Sequence, residues 1–576
     1  MGHWAKPPVD PDQPVLLGLP LRQRLPQDHP VHLIDEILGQ YDWSPWENEY
    51  VRVEGQPPIH PRYIAGPIVH GLTVGVRSTR ALEGACITKL DFALLARGHQ
   101  PDHSSFGNFR TRFKEPLQDL FRFLGTMAIG MGLARLNQIG LDGTRVRANS
   151  SRHRTATART LEERLAALDE QVAELLARAD EEDREEDTLF GKEVSPHRLT
   201  RELATVQRRQ EALAQALANA RAQEAKRQSK KSSSAKAKAD PGDADANEPP
   251  NGSADPSPNP PQDGAAETPS AGAEEPPAPQ APSGGAPKPK APKVPVADPD
   301  STIQPNKEGG FAPNYTPMAA VDTYGGFILD DDVLTTSDEG QATVAALDRI
   351  EAAYGERPAE LLADSKHGSG PTLEALDERG ITAFIPLEQR HDTPHNPAHR
   401  PDPTVPVPEA DWGRLPRSPA TGKLDRAAFV YDEKGDCHWC PQGRRLPFSH
   451  KQKLKRRDGT TAPVYLCETC AGCPLAGECL AGKARQRSVT RDPYEPLREA
   501  MDARLRTPEG QEKYERRRWA CETPFAVIKT VMGVRQFLLR GVEKVRTEWK
   551  WVCSAYNVRK LVWAIARRRG YAWAHP

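Results

Sequence analysis

AELLADSKHGSGPTLEALDERGITAFIPL, residues 359–387, holds two short apolar runs around one amphipathic segment. AELLAD predicts a short buried strand ending in Asp364, PTLEALDERG a helix closed by Gly380, and ITAFIPL a further strand. A carboxylate at the carboxyl end of a buried strand stands where α/β sheets bind their ligands. Upstream, FAPNYTPMAAVDT (311–323) and GGFILDDDVLTT (325–336) read as two strands joined by the turn YGG, and ATVAALDRIEAAYG (342–355) as a helix. LNQIGLDGTRVRAN (136–149), punctuated by Gly and Asn, reads as an earlier strand that carries Asp142.

The order is therefore three strands, helix, strand, helix, strand. This is the order of an RNase-H-like α/β core, here placed in 136–155 and 305–389 and interrupted after its first strand. At 576 residues the chain is too long for one ordinary core. Residues 1–28 are Pro-rich and expected to be flexible. Residues 29–135 predict a helical N-terminal domain suited to DNA binding. Ile64, Ile68, Leu72 and Val76 mark one helical face, and Asp102 or Ser104 would cap a helix holding Phe109 and Phe113. In 156–227, Leu161, Leu165, Leu168, Val172 and Leu175, then Leu199, Leu203, Val206, Leu213 and Leu217, keep helical spacing with Gln210 in the seam. They suit an antiparallel hairpin or a self-associating coiled coil, or a plain amphipathic pair packed on its own domain. Residues 228–304, rich in Pro, Ala, Ser and Gly, bury too little to offset ordering entropy and read as a disordered linker. Residues 390–505 read as an irregular Cys-rich insertion, and 506–576 as basic C-terminal helices of the core.

Lys and Arg number 78 against 79 Asp and Glu, a formal net charge of -1. The average hides segregation: the last sixty or so residues are crowded with cations and 179–187 is acidic. A phosphate backbone senses that local field, so the balance does not exclude nucleic acid. No run of eighteen apolar residues suggests a membrane span, and MGHWAKPPVD lacks a signal-peptide core. A cytoplasmic place is expected.

Three acids stand out: Asp142, Asp364, and Glu522 in YERRRWACETPFAVIK (514–529). Two divalent ions roughly 3.5–4 Å apart can activate a hydroxyl and neutralise phosphoryl charge, and Mg²⁺ (or Mn²⁺) takes carboxylate oxygens. A metal-dependent nuclease-like enzyme acting on DNA is the expectation. A lone Asp-Gly or strand-end Asp is ordinarily a turn; only the combination points to chemistry. Asp322 is a rival, and Asp330, Asp331 and Asp332 read as a solvated strand start. Tyr514, Arg518, Glu522 and Lys529 fall on one helical stripe beside an apolar set of Trp519, Phe525, Ile528 and Val531. Cys437, Cys440, Cys467, Cys470, Cys473 and Cys479 are spaced for metal rather than for disulfides. Two CxxC units flanking KQKLKRR (451–457) match a zinc ribbon, a structural Zn²⁺ needing four of the six; iron–sulfur ligation is the less supported alternative.

These residues carry a resemblance. HPRYIAGPIVHGLTVGVRSTRALEGA, PDHSSFGNFRTRF, LDGTRVRANSS, the strands around Asp322 and Asp364, and YERRRWACETPFAVIK with FLLRGVEKVRTEWKWVCSAYNVRKLV resemble the DDE transposases of bacterial insertion sequences, most closely the IS1182 group of the IS4/IS5-like class. The resemblance implies a bacterial, nucleoid-associated enzyme that cleaves and joins DNA at terminal inverted repeats and target DNA, as a homodimer. It implies Asp142, Asp364 and Glu522 as Mg²⁺ ligands, Lys529 as a catalytic helper, and Tyr514, Arg517, Arg518, Lys529, Arg535 and Arg540 as DNA contacts. Arg77, Arg80, Arg110 and Arg112 would serve the N-terminal domain. It also implies Cys440, Cys470, Cys473 and Cys479 as the shared zinc set, with Cys437 and Cys467 in addition. The usual Gly-Tyr after the second Asp reads Lys366-His367 here, and His367 is given no chemistry. Arg517 fits the family's Tyr–Arg spacing, Arg518 its Arg–Glu spacing. The alternatives are a domesticated or stand-alone endonuclease of the same fold, or a non-catalytic DNA-binding relative.

Overall fold

The structure, a computed structural model, describes residues 4–10, 19–50, 57–189, 205–207, 209–225, 228, 291–306, 309–387, 395–419, 421–454, 460–467, 469–482 and 484–574. The expected linker lies almost wholly outside these residues, as do Leu199, Leu203 and 455–457 of the basic loop. The chain divides into two compact units, 1–151 with 300–576, and 152–299. Together they make a mixed α/β protein with a helical N-terminal region.

The first unit is built on a central sheet. Its strands are β1 (Gln138–Gly143), β2 (Phe311–Asp322), β3 (Ile328–Leu334), β4 (Glu360–Ala363) and β5 (Thr382–Phe384). β2 pairs antiparallel with both β1 and β3, while β4 runs parallel to β1 and to β5. The spatial order is β3-β2-β1-β4-β5, and two short strands at 146–147 and 302–305 extend the sheet along β2. Leu141 pairs with Ala363, so Asp142 and Asp364 leave neighbouring parallel strands at the same level. This register follows from burial: Ile139, Leu141, Leu361, Leu362 and Ala363 are all buried, and a one-residue slip would turn each strand over.

Helices α1 (Pro30–Gly39), α2 (Pro61–Thr73), α3 (Thr79–Thr88), α4 (His103–Arg112) and α5 (Lys114–Gly130) precede the sheet. Asp102 caps α4 through the Ser105 amide at 2.6 Å. The i,i+4 face of α2 ends at Leu72, because Gly75 (φ 79°) turns the chain before Val76. Helices α6 (Thr343–Tyr354) and α7 (Gly370–Glu378) connect the later strands. Helices α8 (Glu495–Arg506), α9 (Pro508–Thr530) and α10 (Val542–Arg568) close the unit. The N-terminal helices do not stand apart: α1, α2 and α5 pack on α10. Trp549 and Trp551 of α10 are fully buried there. The Trp549 indole donates to the Met318 carbonyl at 2.9 Å, and Asn557 bridges the Ile328 amide and carbonyl at 3.0 and 2.7 Å. The Trp549 and Asn557 side chains of α10 thus meet backbone groups of the sheet.

Several charged residues expected on the surface are internal. Asp330, Asp331 and Asp332 are not a solvated strand start: Asp330 accepts from Nε and Nη2 of Arg349 at 2.8 and 2.6 Å, Lys550 holds Asp331 at 2.6 Å, and Arg546 reaches Asp332 at 3.1 Å. They lie on β3 under α6 and α10, where alternation sends charge inward and each carboxylate needs a cation. Arg77 and Arg110 are tied into the fold rather than free for DNA. Arg77 donates to the Gly533 and Gln536 carbonyls and pairs with Glu548 at 3.2 Å, and Arg110 donates to the Arg77 carbonyl. Arg112 donates to the Glu49 carbonyl, and Arg80 is exposed. In α1, Asp35 is buried among Arg22, Arg62 and Arg97, all within 3.0 Å.

The second unit pairs helix Ala158–Leu189 with a helix over 209–225. Contacts of Glu162 with Arg221 and of Asp169 with Gln210 show that the two run antiparallel, with Leu161, Leu213, Ala216, Leu217 and Ala220 between them. The first helix runs on to Leu189, so the acidic run from 179 does not interrupt it.

The Cys-rich region is regular where irregularity was expected. Five antiparallel strands (Val430–Asp432, Cys437–Trp439, Arg445–Lys453, Thr461–Leu466, Ser488–Thr490) form a second sheet with its own small core around Leu446, Tyr465 and Val489. Three of its five strands are only three residues long, too brief to show alternation in the sequence. Among the described residues no helix is long and apolar enough to cross a membrane.

Candidate metal centre

Asp142, Asp364 and Glu339 present carboxylate oxygens that all lie within 4.8 Å of one another. Asp142 is the fifth residue of β1, and its Oδ1 accepts the Gly143 amide at 2.9 Å. Gly143 is a glycine for a reason other than a turn. A Cβ there would lie 2.7 Å from Glu339 Oε2 and 2.6 Å from Met318 Sδ, so its absence lets Glu339 approach. Asp364 directly follows β4 and caps the 3-10 turn Ser365–His367 by accepting the Lys366 amide at 3.0 Å. Glu339 arrives from the turn between β3 and α6. Gly340, next in line, packs so closely on the Lys366 carbonyl that a Cβ would sit 2.6 Å from it.

Glu339 was missed in the sequence. It follows no strand directly and belongs to SDEG, a string that reads as an ordinary loop. Its Oε2 is buried without a hydrogen-bond partner, a costly state for a carboxylate unless a cation occupies the site. Lys366 Nζ lies 3.0 Å from Glu339 Oε1 and 4.0 Å from Asp364 Oδ2, and Arg517 lies 3.2 Å from Asp142 Oδ1. These two cations offset part of the charge. His367 is fully buried, with its Nε2 3.7 Å from Asp364 Oδ1 and 3.9 Å from Glu339 Oε2. Burial lowers its pKa to about 4, so the ring is neutral at pH 7.

Burial, with Asp364 and Glu339 nearby, raises Asp142 to about 6 against the opposing pull of Arg517. A raised carboxyl favours the protonated fold. Without a cation, the unit should lose about 3 kcal/mol as pH climbs from about 4 to about 6. Denaturant titrations of metal-free protein across that window check this. Asp142→Asn should flatten the slope, and a slope unchanged in that variant would refute the placement.

Helix α9 lies over the same end of the sheet. Arg517 meets Asp142, Cys521 packs on Gly140, and Lys529 Nζ donates to Thr144 Oγ1 at 2.5 Å. The face toward the sheet is Ala520, Cys521, Pro524, Phe525 and Ile528. Trp519 and Val531, expected there, are about half exposed: Trp519 falls off that 3.6-residue period, and Val531 lies just past the last residue of the helix. The expected stripe is split accordingly. Tyr514 is half-buried, Lys529 touches β1's exit, and Arg518 (83% exposed) and Glu522 (63%) face solvent 3.6 Å apart. Glu522 is therefore not part of the three-carboxylate cluster. Arg535 and Arg540 are exposed near this face and donate to the Lys529 and Asn149 carbonyls. Asp322 is no ligand: it anchors the β2–β3 turn by accepting the Tyr324, Gly325 and Phe327 amides and that of Arg135.

Five of the six clustered cysteines, Cys440, Cys467, Cys470, Cys473 and Cys479, line one small cavity with Phe429 and Arg487. Cys437 does not line it and is buried beside Gly435 instead. Backbone amides of Arg444 and Arg487 point at Cys440 Sγ and Cys470 Sγ, both at 3.4 Å.

Residues 439–562, from the cysteine sheet through α9 into α10, match the family model of the transposase DDE domain. The chain carries a transposase DDE domain. Residues 19–112 match a second model, a transposase domain (DUF772), which covers α1 to α4. No curated protein and no solved structure matches the chain. The matched stretch of the DDE domain contains Glu522 and Lys529, whereas Asp142, Glu339 and Asp364 lie outside it and join it only through the fold. A transposase-family domain with this acidic cluster is consistent with metal-dependent nuclease chemistry.

Proposed function

We propose that the chain is a DDE transposase that cleaves and joins DNA at the ends of an insertion sequence. The observation that carries the proposal is the meeting of Asp142, Glu339 and Asp364 at the end of the sheet, under a helix that the DDE domain supplies. The strand order, three antiparallel strands followed by two parallel to β1, supports an RNase-H-like core. The all-oxygen carboxylate set and the orphaned Glu339 Oε2 suit Mg²⁺ or Mn²⁺. When bound, such a cation supplies neutralising charge at the phosphoryl oxygens and a more acidic attacking hydroxyl.

The chain's own residues do the rest. Asp142, Glu339 and Asp364 would hold one cation. Glu522 lies on α9 between Arg517, which meets Asp142 of β1, and Lys529, which meets Thr144 just past it, and its side chain is exposed beside Arg518. It would complete a second ion's ligands once DNA arrives. Lys529, Arg535 and Arg540 line the exit of β1 and would contact phosphates, while Tyr514 and Arg517 brace the carboxylates. In each step a P–O bond forms from water or a 3′-hydroxyl as the P–O3′ bond breaks. Joining two ends calls for at least two protomers. The test is Mg²⁺-dependent nicking of DNA carrying the inverted repeats that flank the gene. Absence of any nicking or joining by the full chain on such ends would sink the proposal.

The cysteine cavity is proposed as a structural zinc site. Burial raises the Cys440 thiol, and Cys470 and Cys479 to about 11 and about 12, so without a cation these buried thiols stay protonated. A soft cation would deprotonate them, and the two amide–sulfur contacts suit thiolates. Cys440, Cys470, Cys473 and Cys479 fit as ligands, with Cys467 the spare. Cys437 does not fit, being outside the cavity. Purified protein should carry one zinc per chain. Cys470→Ser should lose it and lower the melting temperature, as metal analysis and calorimetry would show; full zinc content in that variant counts against the site.

A further inference from the structure

We propose that His367 gives a nitrogen ligand, through Nε2, to the same cation that Asp142, Glu339 and Asp364 hold. The inference rests on the carboxylate reading above and adds a residue to it. Three observations carry it. The first is orientation: Nε2 is buried, has no hydrogen-bond partner, and faces Asp364 Oδ1 at 3.7 Å and Glu339 Oε2 at 3.9 Å. Both distances are too long for hydrogen bonds. They suit two ligands of one ion, which at roughly 2.1 Å from the metal stand about 3–4 Å apart.

The second is the tautomer. Thr343 Oγ1 donates its single proton to the Gly340 carbonyl at 2.9 Å and lies 2.8 Å from His367 Nδ1. With that proton committed, the hydroxyl accepts from Nδ1–H, and the lone pair is left on Nε2. A ring nitrogen whose partner N–H is fixed by an oxygen acceptor is the usual state of a metal-binding histidine. The third is that Glu339 Oε2, the nearer end of the facing carboxylate, is orphaned as well. Two buried unpaired acceptors aimed at one point repel each other, and a single cation satisfies both. If His367 merely filled space, burying Nε2 unpaired would cost stability with no return.

A nitrogen donor shifts preference from Mg²⁺ toward Mn²⁺. The test uses the full-length protein with one equivalent of Mn²⁺ and pulsed EPR, comparing ordinary protein with protein labelled with ¹⁵N-histidine. We expect nitrogen modulation that changes isotope signature on labelling and vanishes in His367→Asn. Mn²⁺ affinity should fall at least about tenfold in that variant, while Mg²⁺ affinity changes less. Thr343→Val, which frees the ring, should weaken Mn²⁺ by about tenfold. The labelled pair decides even if a variant fails to fold. Bound Mn²⁺ that shows no histidine coupling overturns this inference and leaves the carboxylate site standing. Failure of Mn²⁺ to bind in a manner that Asp364→Asn abolishes overturns both.

Discussion

Asp364→Asn should abolish Mg²⁺-dependent nicking, lowering the rate by at least about 10³-fold, while leaving the fold as stable as before or more so. The substitution keeps the volume and the cap on the Lys366 amide, since the amide oxygen can still accept it. It removes one negative charge from a cluster whose oxygens lie within 4.8 Å of two others. In the absence of a cation those charges repel, and burial already holds Asp142 at about 6. Relieving that repulsion should raise the melting temperature of metal-free protein even as chemistry is lost. This opposition of stability and activity is the signature of a site kept for function. The paired measurements are nicking rates and calorimetry on one preparation. Undiminished nicking would remove Asp364 from the mechanism. Loss of both activity and stability would show that its role is structural. Glu522→Gln separates the two kinds of carboxylate: its exposed side chain predicts no change in stability, and lost activity would place it in the loaded site.

Asp35→Asn should cost about 3–5 kcal/mol, the largest stability effect expected of any single polar substitution in the N-terminal helices. Asp35 accepts Arg97 through both oxygens at 2.9 and 3.0 Å, Arg62 at 2.8 Å and Arg22 at 2.9 Å. Arg97 is itself buried. Removing the carboxylate therefore strands a guanidinium rather than merely deleting a contact. Burial alone would push Asp35 upward, but Arg97 and Arg62 hold it below the usual carboxylate value. Its contribution is present above the ordinary Asp pKa and is lost as pH falls through the folded value. Wild-type protein should accordingly weaken in acid below about pH 4, and the variant should lack that part of the slope. Urea titrations at pH 7 and pH 3.5 measure both. A variant as stable as the parent at pH 7 would refute the assignment.

The two strand-end acids could be read from sequence because both sit beside short apolar strands, and strand polarity alone sends Asp142 and Asp364 to one end of the sheet. Glu339 could not. Its place depends on Gly143 lacking a Cβ and on Gly340 nestling against the Lys366 carbonyl, two approaches between segments nearly two hundred and some twenty-five residues apart in sequence. His367, to which the sequence gives no chemistry, meets through Nδ1 the hydroxyl of Thr343, twenty-four residues earlier, a contact that no local pattern encodes. Arg517 and Arg518 were equal candidates by spacing. One residue is a 100° turn on a helix, and that turn sends Arg517 to Asp142 and Arg518 to solvent. The charges of β3 misled because alternation along a strand does not say which face is buried when cations wait on both neighbouring helices.

Local periodicity and turn chemistry thus determined the element order, the α/β character and the two aspartates, since these depend on near neighbours and on hydrophobic pattern. Tertiary packing alone decided the third carboxylate, the histidine beside it, which arginine meets Asp142, and which five thiols share a cavity. Those outcomes turn on distances of a few ångströms between segments far apart in the chain, and no spacing within one segment encodes them.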